Sequence, residues 1–426
     1  MMNTPSDVPY YHAIGIGAGP ANLSLAALFQ GVTDEKLALF DKSPGPAWHA
    51  SLLHPGVRMQ TTWMKDLVSL VDPTNKLSFM NYLVTEGRLF AMLNAQFSVA
   101  PRAEYMRYLA WATERIDNIH FNTPIDEMSF VEGEGFYATS NGEVIGRSEH
   151  LVMGVGTRSI MPAGFVGVPE ERAFVADYLA MHLPTMSVDK SVPVAVIGGG
   201  QTGVEAVLRL LGEGFTNIRW MGRSQWFRTM DDSPAANEIY RPMHIEYLHN
   251  LTRSTRKKLV DEAGPTGDAL TPGVLQALYQ ANYDAMLNTG SFPVTLLPGR
   301  EVTEGELDGD EVVLKANTPE KLEEHRVAFA VLAVGRQLAP VPLSAELAQR
   351  IDLDEDGEMI IDEDYSVRWK GMNGHRIYAM NRGRFSHGIQ DANLSLLPVR
   401  AALVLNSMLG AEKYQIRDEI CPVQWG

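Results

Sequence analysis

Two short glycine clusters carry the clearest chemical signal in the chain. Gly15-Ile-Gly17-Ala-Gly19-Pro20-Ala-Asn22 overlaps the end of the strand-like run Tyr11–Ile16, and Gly198-Gly-Gly200-Gln201-Thr202-Gly203 directly follows the β-branched run Val192–Ile197. Glycines at this spacing let backbone N–H groups approach a pyrophosphate at the N-terminus of the next helix, so each cluster reads as a dinucleotide-binding turn. The residue closing the following strand distinguishes the two. After the first cluster, Lys36–Phe40 ends in Asp41, a carboxylate able to accept from ribose hydroxyls. After the second, Asn217–Met221 runs into Gly222 and Arg223. An acid there would repel a 2′-phosphate, whereas Arg223 can pair with one, so the second turn is expected to prefer NADP(H). An acid at one turn and a base at the other predict FAD first and NADPH second, with electrons passing from nicotinamide to flavin. Pro20 stands at the third glycine position of the first cluster, which predicts a slightly altered helix start.

Such turns need parallel strands to present them. Residues 11–41 read as strand, turn, helix and strand, and residues 192–221 repeat that unit with a helix over Val204–Leu211. Apolar runs at Leu151–Gly156, Ala328–Gly335 and Arg376–Met380 read as buried strands, Pro101–Arg115 as an amphipathic helix and Leu394–Leu409 as a closing helix. Residues 233–295 carry no glycine turn and mix a helical pattern over Pro272–Leu287 with polar loop. The expected fold is α/β: two dinucleotide-binding Rossmann-like domains with an inserted, mostly helical substrate cap. The boundaries assign 1–180 to the first part of the FAD domain, 190–232 and 296–335 to the NADPH domain, 233–295 to the cap and 336–426 to the closing part of the FAD domain.

The 426 residues hold 36 Lys and Arg against 52 Asp and Glu, a formal charge of −16, with 45% hydrophobic residues. That supplies cores for two or three domains, and the acidic balance without any basic run argues against nucleic acid or an anionic membrane as partner. No apolar run reaches about 18 residues and the N-terminus lacks signal-peptide character, so a cytoplasmic protein is expected. Cys421 is the single cysteine, which excludes dithiol–disulfide reductases and Cys-based zinc sites. With no disulfide to receive the electrons, a small oxidant such as O2 is the expected acceptor.

Further motifs extend across nearly the whole chain: Ala47-Trp48-His49, Met59-Gln60, Lys65-Asp66-Leu67-Val68, Asp72-Pro-Thr-Asn-x-x-Ser78-Phe-x-Asn81-Tyr-Leu and His387-Gly-Ile. Together with the glycine turns they resemble the flavin-dependent N-hydroxylating monooxygenases of hydroxamate siderophore biosynthesis. The resemblance is closest to the lysine N6-hydroxylase branch and its cadaverine-using relatives. It implies that Trp48, His49 and Gln60 lie close to the flavin, and that Lys65 holds the distal end of the amine, where amino-acid-using members have a carboxylate. It implies substrate or nicotinamide contacts for Asn237 and Asn282, and a place near flavin and substrate for Ser395. Gly15, Gly17, Gly19, Pro20, Asn22, Asp41, Gly198, Gly200, Gln201, Thr202, Gly203 and Arg223 are the remaining cofactor-binding residues expected. A homo-oligomer, tetramer or dimer, is also implied. The chain departs from the family pattern at Ala333-Val-Gly-Arg336, where many relatives read Ala-Thr-Gly-Tyr, and at Ser224, where a second arginine often stands.

The reaction implied consumes a small aliphatic amine, O2 and NADPH and yields an N-hydroxylamine, water and NADP+, with oxygen carried as a flavin C4a-hydroperoxide. L-Lysine and the diamine cadaverine are the two substrates in view, in an early step of aerobactin- or desferrioxamine-type synthesis. Lys65 suits the carboxylate of lysine, while the acidic balance keeps cadaverine open. The attacking amine must be neutral, and an ordinary ε-amine with a pKa near 10.4 gives up about 4–5 kcal/mol to be uncharged near neutral pH. Desolvation lowers that pKa, so no catalytic triad or side-chain base is required, and no metal. Two other readings use the same turns. One is a flavin monooxygenase acting on a sulfide or ketone, loosely suggested by His182 but lacking a glycine that pattern needs; the other is a non-catalytic flavin/NADP-binding module.

Overall fold

The computed structural model describes residues 8–46, 48–49, 53, 56–371, 373–418 and 420–425. Ala47 of the Ala-Trp-His motif lies outside the described residues.

Two parallel sheets organise the chain. In the first, the strands Ile119–His120, Leu37–Phe40, Tyr10–Ile16, Glu143–Met153 and Ile377–Ala379 run parallel in that order, and an antiparallel extension, Gly135–Ser140 and Glu127–Val131, continues from Glu143–Met153. In the second, Ala173–Val175, Phe329–Leu332, Val194–Ile197, Ile218–Gly222 and Val294–Pro298 are all parallel. Continuous apolar composition in these strands matches burial on both faces, since helices cover parallel sheets on either side. A meander, Glu301–Asp308, Glu311–Asn317 and Leu322–Val327, flanks the second sheet.

The two sheets are built alike down to single hydrogen bonds. Gly17 N–H donates to Phe40 and Gly154 N–H to Ile16 in the first; Gly198 N–H donates to Met221 and Ala333 N–H to Ile197 in the second. The repeat of strand, glycine turn and helix legible in the sequence is therefore a repeat of tertiary structure, and the expected α/β architecture is present.

Two expected boundaries move. Ala173–Val175, placed in the first domain from sequence, pairs with Phe329–Leu332 in the second sheet. The chain crosses between sheets earlier, at Thr157–Ser159, and returns at Arg336–Leu338; these two linkers pair antiparallel. The segment 233–295 also divides. Helices Pro242–His249 and Arg253–Ala263 pack against Arg384–His387 on the side of the first sheet, whereas helix Pro272–Thr289 packs on Gln201–Gly212 and shares a core with Val194 and Trp220. That long helix is the crossover between Ile218–Gly222 and Val294–Pro298, which a parallel pair requires.

Arg336 explains its own departure from the family pattern. Its guanidinium donates to Thr157 Oγ1 at 2.8 Å, Ser159 Oγ at 2.9 Å and the Asp177 carboxylate at 2.8 Å, tying both linkers to the second domain.

Candidate active site

The glycine turns occupy the C-terminal edges of the central strands, where parallel sheets bind ligands. Gly17 and Gly198 adopt φ of +91° and +130°, and a Cβ on them would stand 2.6 Å from Gly154 O and 2.1 Å from Ala333 O. Gly19 and Gly200 instead face open space and begin helices Pro20–Phe29 and Gln201–Gly212 with no side-chain cap, leaving backbone donors directed outward. Each turn thus has the shape and the free backbone donors that a pyrophosphate cradle requires. Gly15 and Gly203 play a packing part: a Cβ on Gly15 would meet Leu39 at 2.5 Å, and one on Gly203 would meet Gly198 O at 2.0 Å.

Several turn residues brace the cradle from within. Asn22 is buried and its amide nitrogen donates to Gly17 O at 2.7 Å and Ile16 O at 3.2 Å, so it shapes the turn from beneath. Asp41 accepts from Ala18 N–H and Ser43 N–H, each at 2.7 Å. Its carboxylate thus orders the turn itself. Pro20 supplies the first helical residue with its fixed φ and is buried. Arg223 follows directly on Ile218–Gly222, exposed beside the second turn, with no ion pair among the described residues; Thr202 lies in the first helical turn. Replacing Arg223 with Ala is expected to raise the KM for NADPH roughly tenfold or more and leave that for NADH unchanged, given about 1.5–3 kcal/mol for a charge-assisted bond.

Between the sheets lies a cavity of about 1110 Å³ lined by Met59, Gln60, Lys65, Asn237, Tyr240, Thr271 and Ser395, with Asp231 and Asp232 at its wall. A smaller one of about 210 Å³ shares Met59 and Gln60 and adds Trp48, His49 and Arg102. The expected flavin-side residues therefore converge: Trp48 sits edge-on to His49 at 4.7 Å, and Arg102 lies 6.0 Å from the Trp48 ring. Burial pushes the His49 imidazole down to about 4, so it is neutral near pH 7.

Lys65 is held in this cavity by its neighbours in sequence. Asp66, buried, accepts from Val68 N–H, Ser69 N–H, Ser69 Oγ and Phe79 N–H at 2.6–2.9 Å, pinning the loop to helix Phe79–Thr85. That explains the spacing between the Lys-Asp-Leu-Val and Ser-Phe-x-Asn-Tyr-Leu blocks. Asp66 is thereby spent on the loop and does not pair with Lys65. The Lys65 ammonium lies 5.8 Å from the Tyr240 ring and has no carboxylate within 4 Å among the described residues; burial lowers its pKa. Ser395 is buried and its hydroxyl donates to Asn393 at 2.8 Å, while the Asn237 amide donates to Asp232 O at 3.0 Å.

Asn282 does not join them. It is buried in helix Pro272–Thr289, where its amide nitrogen donates to Val294 O and its carbonyl oxygen accepts from Val294 N–H, both at 2.9 Å. It clasps the helix to the last strand of the second sheet, with no lining position in the cavity. Asn282→Ala is expected to lower unfolding stability by about 1–3 kcal/mol through two orphaned backbone groups, with an unchanged KM for amine in steady-state assays. Glu205 lines the large cavity and Arg102 the small one; the local sequence marks only the first, as a carboxylate inside the apolar face Val204–Leu210. His387 is buried and stacked on Tyr365 at 3.9 Å, a packing role.

Two congruent glycine turns, each at the C-terminal edge of its own parallel sheet and each opening a helix, are the architecture of a two-nucleotide flavoprotein oxidoreductase. More particularly, residues 9–337 match the model of the L-lysine 6-monooxygenase/L-ornithine 5-monooxygenase family, and the chain belongs to that family. It is 29% identical over 421 residues to the L-lysine N6-monooxygenase of Escherichia coli, with 97% of each chain covered. It is 27% identical to a putrescine N-hydroxylase of Acinetobacter baumannii, covering 96% of this chain and 92% of that one. Among solved structures, the FAD-bound cadaverine monooxygenase of the desferrioxamine pathway of Erwinia amylovora superposes with a TM-score of 0.88 at 26% identity, over 97% of this chain and 99% of that one. An ornithine N-hydroxylase from Kutzneria, solved with reduced FAD, NADP+ and L-ornithine, shares the fold at a TM-score of 0.87 and 23% identity, over 94% and 99% of the chains. Among the described residues, no helix is long and apolar enough to cross a membrane.

Proposed function

We propose that this protein binds FAD at the first glycine turn and NADPH at the second, and hydroxylates the ε-amine of L-lysine with O2 in a hydroxamate siderophore pathway. The single observation that carries the substrate is Lys65: a half-buried ammonium in the cavity, with the adjoining Asp66 committed to its own loop, is a counter-charge for a substrate carboxylate. Residues up to about 160 and from about 339 would hold FAD, and the second sheet NADPH.

Bound flavin supplies the chemistry of oxygen activation and transfer to the nitrogen. The chain's own residues orient and dry the site. Lys65, Asn237 and Ser395 fix the amino-acid end, so the ε-nitrogen extends toward Gln60 and Trp48. Burial among Met59, Tyr240 and the flavin-side wall favours the neutral amine, as it favours neutral His49. Exclusion of water protects activated oxygen from decay to peroxide.

Cadaverine is a second reading, favoured by Asp231 and Asp232 in the wall of the same cavity, which could receive a second ammonium. Hydroxylamine formation with lysine, ornithine, cadaverine and putrescine offered in parallel tests the choice. The account expects lysine to give the highest kcat/KM, and a preference for either diamine would overturn it.

A further inference from the structure

The helix after the second glycine turn carries a carboxylate where its apolar face should be continuous. Glu205 is 2% exposed and flanked by Val204, Ala206 and Val207. Its partner comes from the other domain: Arg102, 103 positions away, donates both terminal guanidinium nitrogens to it at 2.7 Å. A buried pair of this kind contributes little net stability against apolar side chains of the same size, and is best suited to specifying one arrangement of the parts that carry it.

The connection continues on both sides. At one end Arg102 lines the small cavity with Trp48 and His49. At the other, Glu205 Oε1 accepts from the Gln201 amide at 2.9 Å, and Gln201 is the first residue of the helix that starts at the second glycine turn. Gln201 Oε1 accepts from Thr271 N–H at 3.0 Å, and Thr271 Oγ1 accepts from the Gln60 amide at 3.3 Å, which returns the chain to the flavin side. Five residues, joined by their side chains and by the Thr271 N–H, thus link the helix that starts at the second glycine turn to Arg102 and Gln60 in the walls of the two cavities.

We propose that Glu205 is a positioning residue: through Arg102, Gln201, Thr271 and Gln60 it couples occupancy of the second glycine turn to the environment of the flavin. This rests on the assignment of FAD and NADPH to the two turns. A nucleotide settling on the second turn orients the start of helix Gln201–Gly212. Because Gln201 and Glu205 lie one helical turn apart, that orientation is passed to Arg102 and Gln60 without moving either backbone sheet.

The test uses FAD-loaded protein titrated with NADP+ in the absence of any amine. Calorimetry gives Kd, and the visible flavin absorbance gives the perturbation at saturation. Glu205→Gln is expected to raise Kd roughly tenfold, within the usual range of site-to-site coupling, and to remove most of the absorbance change even when the site is filled. A simple loss of packing would alter Tm and FAD content without abolishing the saturated spectral change. Should Glu205→Gln fail to retain FAD, Thr271→Val removes only the hydroxyl facing Gln60, and is expected to diminish the saturated change with FAD content intact. Wild-type spectral amplitudes in whichever variants retain FAD would overturn the proposal. Since no amine is present, that failure is separate from failure of the N-hydroxylase reading, which would show as absence of hydroxylamine from the wild-type protein.

Discussion

Lys65→Ala is expected to raise the KM for L-lysine about 10- to 100-fold while the rate of flavin reduction by NADPH stays close to wild type. The magnitude follows from about 1.5–3 kcal/mol for a hydrogen bond between charged partners. The sign for cadaverine is opposite. Removing a cation from a cavity whose wall holds Asp231 and Asp232 should leave the KM for a diamine unchanged or lower. Steady-state kinetics with both amines therefore separates two ways in which Lys65 can matter. If lysine and cadaverine lose affinity equally, Lys65 supports the loop rather than reading the carboxylate. An unchanged KM for lysine would remove it from the substrate site altogether.

Gly198→Ala should weaken NADPH binding by about two orders of magnitude. The residue sits at φ +130°, and the added methyl carbon would lie 2.1 Å from Ala333 O, a backbone atom that cannot yield without displacing the strand Phe329–Leu332. Strain of this sort amounts to about 3 kcal/mol, which expressed as affinity is roughly a 100-fold loss. Because Gly198 belongs only to the second unit, FAD content should be retained and chemical reduction of the flavin by dithionite should proceed normally. The equivalent change in the first unit, Gly17→Ala, meets Gly154 O at 2.6 Å and should instead deplete FAD. A Gly198→Ala protein with wild-type NADPH affinity would show that the second turn does not bind nucleotide.

The features legible in the sequence were those that local geometry dictates. Gly17 and Gly198 announce themselves because only glycine tolerates their φ, and the strands before them because a parallel strand is apolar on both faces. Lys65 could be singled out as a cation in an apolar stretch, and the structure places it in the cavity. What the sequence concealed depends on contacts distant along the chain. Asn282 as a cavity residue and as a clasp on Val294 have the same local pattern, and only the register of helix against strand separates them. The Arg102–Glu205 pair joins residues 103 apart, so neither partner points to the other. Ala173–Val175 is too short to declare its sheet, and its allegiance is decided by the crossing at Thr157–Ser159. Asn22 and Asp41 stand where a dinucleotide motif needs them, yet their side chains bond the turn itself, a division of labour visible only with the backbone in place.

The central claim is that oxidation of NADPH drives the transfer of one atom of O2 to the lysine nitrogen, the other atom leaving as water with the electrons that NADPH supplies. Its most direct measurement is hydroxylamine formed per NADPH consumed, using FAD-loaded wild-type protein, saturating L-lysine and air. The account predicts a ratio near one with little peroxide released. NADPH consumption that yields only peroxide, with lysine and with every other amine offered, would contradict it and would leave a flavin monooxygenase for a different substrate class, a sulfide or a ketone, as the reading to pursue.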